Sequence, residues 1–239
     1  MAAIAELGHQ IDYVGEELAI FQLAENWKRY VASRLRPHIS GHVLEVGAGM
    51  GANVSYYHRD DLGRYVALEP DTRLCDDFRR QQVEGRIPAR CELVQGTLET
   101  LPLNETFDSI IYIDVLEHIE DDRTEFRRAF ERLRPGGQLS VLCPAHNFLF
   151  SPFDKAIGHF RRYDKRMYRE LSDRQPLKLE YLDSVGMMAS AANRMLLRQS
   201  YPNATQIFLW DRVFVRLSRI ADPLLLRCFG KSILGVWKK

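Results

Sequence analysis

The chain has few of the features that mark an exported, scaffolded or polyanion-binding protein. Its four cysteines, Cys75, Cys91, Cys143 and Cys228, form no CxxC pair. That excludes a disulfide framework and gives no zinc-ligand spacing, so no metal site is expected. The opening stretch MAAIAELGHQIDYVGEEL has neither a basic n-region nor an apolar h-region; a signal peptide is not expected, and a cytoplasmic location is. There is no excess of charge, with 33 Lys+Arg against 32 Asp+Glu, so a protein that coats nucleic acid is not expected. Nor is there a long uncharged apolar run. The most apolar late stretch, 207–226, contains Asp211, Arg212, Arg216, Arg219 and Asp222, which rules out a spanning helix.

What is present is a hydrophobic fraction of 46% in 239 residues, enough for one domain that buries about 70% of its unfolded surface. Ile20, Leu23, Ala24, Trp27, Val31 and Leu35 recur at helical spacing, and Pro37 ends that pattern. Short β-branched runs follow at 42–46, 65–68, 92–94, 107–113 and 138–142, separated by helix-like segments near 52–62, 72–83 and 120–134. This alternation predicts an α/β fold with a mostly parallel sheet covered on both faces. A sixth strand is predicted at 177–182, then a helical insert, and a last strand at 232–237. The expected organisation is a single domain over 1–239: an N-terminal helical lid at 1–39, a core at 40–143, and a segment at 144–239 that ends in the insert and last strand. Charge is uneven, at −8 over 99–126 and +5 over 207–239.

The most informative segment is Val43-Leu-Glu-Val-Gly47-Ala-Gly49-Met-Gly51-Ala-Asn53. Glycines between a strand and a helix allow a sharp turn and let a ligand lie against the backbone, and the following helix N-terminus is expected to favour an anionic group. The next strand ends at Glu69, followed by Pro70. An acidic residue there can accept hydrogen bonds from both ribose hydroxyls, which points to an adenosine-containing ligand. The glycines also fit the dinucleotide pattern G-x-G-x-x-(G/A). Against a dinucleotide stand Glu45, placed where it suits a cationic amino or sulfonium group better than a pyrophosphate, and the acidic loop that follows Asp114.

Taken together, Leu44-Glu-Val-Gly-Ala-Gly-Met-Gly51, Ala67-Leu-Glu69-Pro70, Gly96-Thr-Leu-Glu-Thr-Leu-Pro102, Phe107–Asp122 and Leu133-Arg-Pro-Gly-Gly137 resemble class I S-adenosylmethionine-dependent methyltransferases. The resemblance implies a Rossmann-like seven-stranded, mostly parallel sheet with an antiparallel last strand. It implies S-adenosylmethionine as donor, S-adenosylhomocysteine as product, and a small-molecule acceptor. By the same resemblance Glu45, Gly47, Ala48, Gly49 and Asn53 would face the methionine portion. Glu69 and Pro70 would flank the ribose, and Gly96, Thr97 and Leu98 the adenine. Asp114, Val115 and His118 would lie beside the sulfonium end. Thr97 departs from the Asp common in relatives but keeps a hydroxyl acceptor. Trp27 and Arg29 would belong to the lid, with Arg29 pairing with the donor carboxylate.

The acceptor side rests on Cys143-Pro-Ala-His146-Asn and on Leu149-Phe-Ser-Pro-Phe-Asp154-Lys-Ala-Ile-Gly158-His159-Phe-Arg161-Arg162-Tyr163. The second segment resembles a bacterial branch acting on small molecules or on saccharide and lipid-linked precursors. His146 is the first candidate for a general base, with His118 and Tyr163 as further catalytic candidates. His159, Arg161 and Tyr163 are candidates for holding the acceptor, Arg161 either by gripping an acidic group or by pairing with the 117–122 loop. Met187, Met188, Met195, Leu196, Leu197, Phe208 and Trp210 in the insert are expected to line an apolar cavity or simply the core. They could also form a homo-oligomer surface or rest on a membrane.

Overall fold

A computed structural model describes residues 24–196 and 204–239. Seven strands form one sheet in the order β3-β2-β1-β4-β5-β7-β6, with β1 at His42–Val46, β2 at Arg64–Glu69, β3 at Cys91–Gln95 and β4 at Phe107–Ile113. They are followed by β5 at Leu133–Pro144, β6 at Lys178–Leu182 and β7 at Ser232–Lys238. β1 through β5 pair in parallel, and β7 runs antiparallel to both β5 and β6. The chain leaves β3 at one edge and re-enters as β4 on the other side of β1. This creates a topological switch point between β1 and β4, where an open α/β sheet binds ligands at its carboxyl edge.

The period of two along the strands assigns each side chain to a face. Leu44, Val66, Ile110 and Tyr112 pack on one face with Phe126, Tyr168 and Trp237, while Val43, Tyr65, Ala67 and Ile111 pack on the other with Leu35, Tyr57 and Phe78. The unbroken run Ser109–Ile113 is buried on both faces apart from its end, as a central parallel strand requires.

Helices α1 (Glu25–Leu35), α2 (Val54–Tyr57), α3 (Thr72–Val83) and α4 (Asp122–Glu131) cover these faces. The Asp71 side chain caps α3 by accepting from the Arg73 and Leu74 amides, and Asp121 caps α4 at Thr124 N–H. Two expectations change. The helix expected over 52–62 shrinks to the four residues of α2, because His58 turns extended at ψ 134°, so no substantial helix N-terminus follows the glycines to favour an anion. β5 starts before Gln138: Leu133 already pairs with Phe107, and residues 134–137 form an irregularity before pairing resumes at Gln138.

Beyond β5 lie α5 (Pro152–Ala156) and α6 (Lys165–Glu170). The insert follows as α7 (Ser184–Leu196), α8 (Ala204–Leu209), a π-helical turn at Trp210–Phe214, and α9 (Val215–Leu224). Buried aspartates bolt it down. Asp211 accepts from Asn26 N–H, the Asn26 amide and Trp27 N–H, so it serves as the missing N-cap of α1. Asp222 accepts from Tyr30 O–H at 2.6 Å and from the Asp183 and Ser184 amides. Among the described residues no helix is long and apolar enough to cross a membrane. Residues Ile20, Leu23 and Leu197 and the side chains of Met195 and Leu196 lie outside what is described.

Candidate active site

The glycine loop leaves β1 at the switch point, and its three glycines have different physical reasons. Gly47 sits at φ +69°, where a Cβ would meet Val115 Cγ2 at 2.5 Å. Gly51, at φ +83°, lies against helix α3, where a Cβ would meet Ile87 and Phe78 at 2.2 and 2.7 Å. Gly49, at φ +57°, has nothing within 4 Å of where its Cβ would be. The first and third glycines are therefore demanded by packing, and the middle one presents bare backbone to open space. The amides of Gly47 and Ala48 both donate to the Leu68 carbonyl, which anchors the loop to the end of β2.

Glu69 completes this cradle. One carboxylate oxygen accepts from Gly49 N–H at 2.8 Å and the other from Asp71 N–H at 2.9 Å. A carboxylate has about four lone-pair directions, so this one keeps acceptor capacity for hydroxyl groups. Pro70 is exposed beside it. Glu45, one strand away, is buried and accepts from Tyr65 O–H at 2.7 Å. Burial pushes its carboxyl up to about 7, partly offset by that hydrogen bond. Asn53 stands just before α2, and its side chain makes no capping bond.

The adenine-side segment is a capped turn. Gly96 N–H donates to the Glu69 carbonyl, and Thr97 and Thr100 form a capping box around residues 98–100. One lone pair of the Thr97 hydroxyl is thereby engaged. Leu98 is 1% exposed and packs into the core, so that turn offers a ligand its backbone rather than the leucine side chain.

Asp114 follows β4 at φ +54°, with its N–H held by the Leu142 carbonyl at 2.9 Å. Its side chain is exposed to solvent. The surrounding protein raises its carboxyl to about 6 against the pull of His159, Lys231 and Arg162, and the open side limits that shift. Val115 packs over Gly47. His118 reaches solvent on one side, while burial of the other and the neighbouring His159 lower its imidazole to about 4. The two rings meet edge to face with centroids 4.5 Å apart.

His159 is fixed from behind. Its Nδ1 lies 3.1 Å from Asp154 Oδ1, and Asp154 is gripped by the Arg162 guanidinium through two 2.9 Å bonds. Burial alone would raise the Asp154 carboxyl, but the bonds from His159 and Arg162 hold it well below the usual range. As an acceptor only, Asp154 assigns the Nδ1 proton to His159 and leaves Nε2 facing Glu117 Oε1 at 3.8 Å. Sequence reading missed Asp154, Arg162, Glu117 and Lys231. The Asp154–His159 spacing across a short helix was the available signal for the first. Lys231, above the Trp210 ring at 5.1 Å, had none.

Several expected site residues are placed elsewhere. Tyr163 is fully buried, and its O–H donates to Asp122 Oδ2 at 2.8 Å, so it reaches neither donor nor acceptor. Arg161 pairs with Asp122 at 2.5 Å and donates to the Glu120 carbonyl. That is the loop-pairing alternative, and it leaves little of the guanidinium for an acceptor. Arg29 forms an exposed i,i+4 pair with Glu25 and faces solvent. His146, at φ +65°, stacks on Tyr181 of β6 with centroids 4.7 Å apart. Burial lowers its imidazole below the usual range. Trp27 packs on Trp210 at 5.7 Å. Met188 and Phe208 are exposed.

The sheet order, the glycine loop and the acidic end of β2 define a class I S-adenosylmethionine-dependent methyltransferase fold. Residues 44–141 match the family described as a methyltransferase domain. A solved S-adenosylmethionine-dependent methyltransferase from Clostridium acetobutylicum superposes with a TM-score of 0.56 at 10% identity, over 90% of this chain and 91% of that one. This likeness shows the fold. Among curated relatives, a phosphoethanolamine N-methyltransferase of Triticum aestivum is 28% identical over 99 residues, which are 41% of this chain and 19% of that protein. A tRNA U34 carboxymethyltransferase of Pseudoalteromonas atlantica is 27% identical over 110 residues, 44% of this chain and 34% of that protein. The chain spans less than half the length of these relatives.

Proposed function

We propose that this protein transfers the methyl group of S-adenosylmethionine to an O, N or C nucleophile of a small, partly apolar metabolite. The observation that carries the donor half is the Gly49–Glu69 pair. A glycine with open space before its Cα and a carboxylate with spare acceptor capacity stand together at the switch point. Methyl transfer is an in-line displacement in which the sulfonium supplies the driving force, so the protein's task is alignment, desolvation and, for a hydroxyl acceptor, proton removal. Beyond Asp114 stand His118, His159 and Lys231. We assign the acceptor to that side. The division into a donor core at 40–143 and an acceptor-side segment at 144–239 belongs to this proposal.

Calorimetric titration with S-adenosylhomocysteine tests the donor assignment. Saturable binding is expected, with none for NAD or NADP, and Glu69→Ala should weaken it by about 1–3 kcal/mol through lost hydrogen bonds to a charged group. Unchanged affinity in that variant would remove Glu69 from the donor site.

A second acceptor class, a lipid-linked precursor, is favoured by one observation. Leu209, Val213, Leu217, Ile220 and Leu224 are all exposed along α8 to α9, with Arg212, Arg216 and Arg219 beside them. An apolar stripe bordered by arginines suits a membrane surface. Sedimentation with anionic vesicles, and none with zwitterionic ones, would favour this class over a freely soluble metabolite.

A further inference from the structure

We propose that Glu117, His118 and His159 form a binding site for a divalent transition-metal ion of the zinc type. One potential ligand atom from each residue lies within 4.8 Å of the others. A tetrahedral ion with bonds of about 2.1 Å needs its ligands about 3.4 Å apart. Small side-chain rotations therefore close the set, and Glu117 Oε1 already stands 3.8 Å from His159 Nε2.

The surroundings of Glu117 suit a carboxylate that ligates a cation. It is 0% exposed, and neither carboxylate oxygen has a hydrogen-bond partner. The Cys143 thiol beside it is at best a weak donor. A buried carboxylate without a partner costs several kcal/mol unless it is neutralised or coordinates a cation. The second observation is the support behind His159. With Nδ1–H given to Asp154, its Nε2 lone pair is directed at Glu117, and Asp154 is itself locked by the Arg162 fork. A carboxylate that orients a histidine for ligation is the outer-shell arrangement that metal sites use. His118, exposed to solvent, supplies the third ligand and leaves the open coordination positions on the side of Asp114. There a metal would hold an oxygen or nitrogen group of the acceptor. Sequence spacing did not reveal the set because His159 lies forty residues beyond the Glu117-His118 pair and meets it only through the fold.

The proposal stands on these side chains and not on the donor assignment, and its test needs no methyl donor. The full chain, stripped with chelator and dialysed, is titrated with Co2+ and followed by visible absorption, and with Zn2+ by calorimetry. One ion per chain is expected, with ligand-field bands from histidine coordination and a Zn2+-dependent rise in melting temperature. His118→Ala, at a solvent-facing position, and His159→Ala should each remove the bands. Asp154→Asn should weaken affinity by about 10- to 100-fold as an orienting partner. Circular dichroism of each variant separates lost binding from lost folding. Absence of saturable binding would overturn the proposal and leave Glu117 a protonated buried acid. Equal binding by wild type, His118→Ala and His159→Ala would overturn it too. Either result leaves S-adenosylhomocysteine binding as a separate measurement.

Discussion

The glycine cradle and the clasp between α1 and the insert are held together by contacts of different range. In the cradle the decisive bonds join neighbouring strands and their turns: Gly49 to Glu69 across 20 residues, Tyr65 to Glu45 across 20, and Asp71 to Glu69 across 2. In the clasp they cross the whole chain, from Asn26 to Asp211 over 185 residues and from Tyr30 to Asp222 over 192. The cradle is thus specified by backbone conformations that short motifs encode. The clasp depends on which distant buried polar groups find each other.

Four substitutions press on this contrast, the largest effect first. Gly51→Val forces a side chain into Ile87 and Phe78 at a positive φ and should cost about 2–4 kcal/mol, read by chemical denaturation. Gly49→Ala, at a similar φ but in open space, should cost only about 1–2 kcal/mol while sharply reducing S-adenosylhomocysteine affinity. If both variants lose stability equally, the packing distinction between the two glycines fails.

Glu45→Gln reads the buried carboxyl by pH. The folded-state value near 7 lies above that of an unfolded glutamate. The wild type therefore loses stability as pH rises from the unfolded value through about 7, by about 3 kcal/mol in all. Glutamine keeps an acceptor for Tyr65 and should flatten that slope, making the variant the more stable protein above pH 8. Parallel pH–stability curves would contradict this account. Outside the cradle, Tyr163→Phe should cost about 1–2 kcal/mol for the lost bond to Asp122 and leave donor affinity unchanged. A loss of donor affinity without a loss of stability would instead return Tyr163 to the site.

The same contrast explains what could be read before the fold was seen. The strands, their parallel order and the glycine loop were legible because hydrophobic periodicity and glycine placement are local signals. The reversed last strand followed from the resemblance to a family, and Glu69 from its place at the end of the second strand. The acceptor side was legible only as a list of eligible side chains. His118 and His159 do meet, but His146 is captured by Tyr181, and Tyr163 and Arg161 by Asp122. Residue type and chain position cannot say which partner wins when several acids and aromatics compete. Glu117 illustrates the opposite failure, since a charged residue beside a histidine reads as surface until the packing shows it enclosed.

The aspartate clasp between α1 and the insert has a practical consequence for anyone rebuilding this protein. Because Asp211 terminates α1 and Asp222 secures Tyr30, residues 24–35 and 204–227 behave as one exchangeable part. A chimera that imports a foreign insert alone would leave α1 without its cap and Tyr30 without its acceptor. Transplanting both pieces together would keep the bonds between them, and only the Asp222 bonds to the Asp183 and Ser184 amides and the insert's other contacts to 180–185 would need a matching partner in the host.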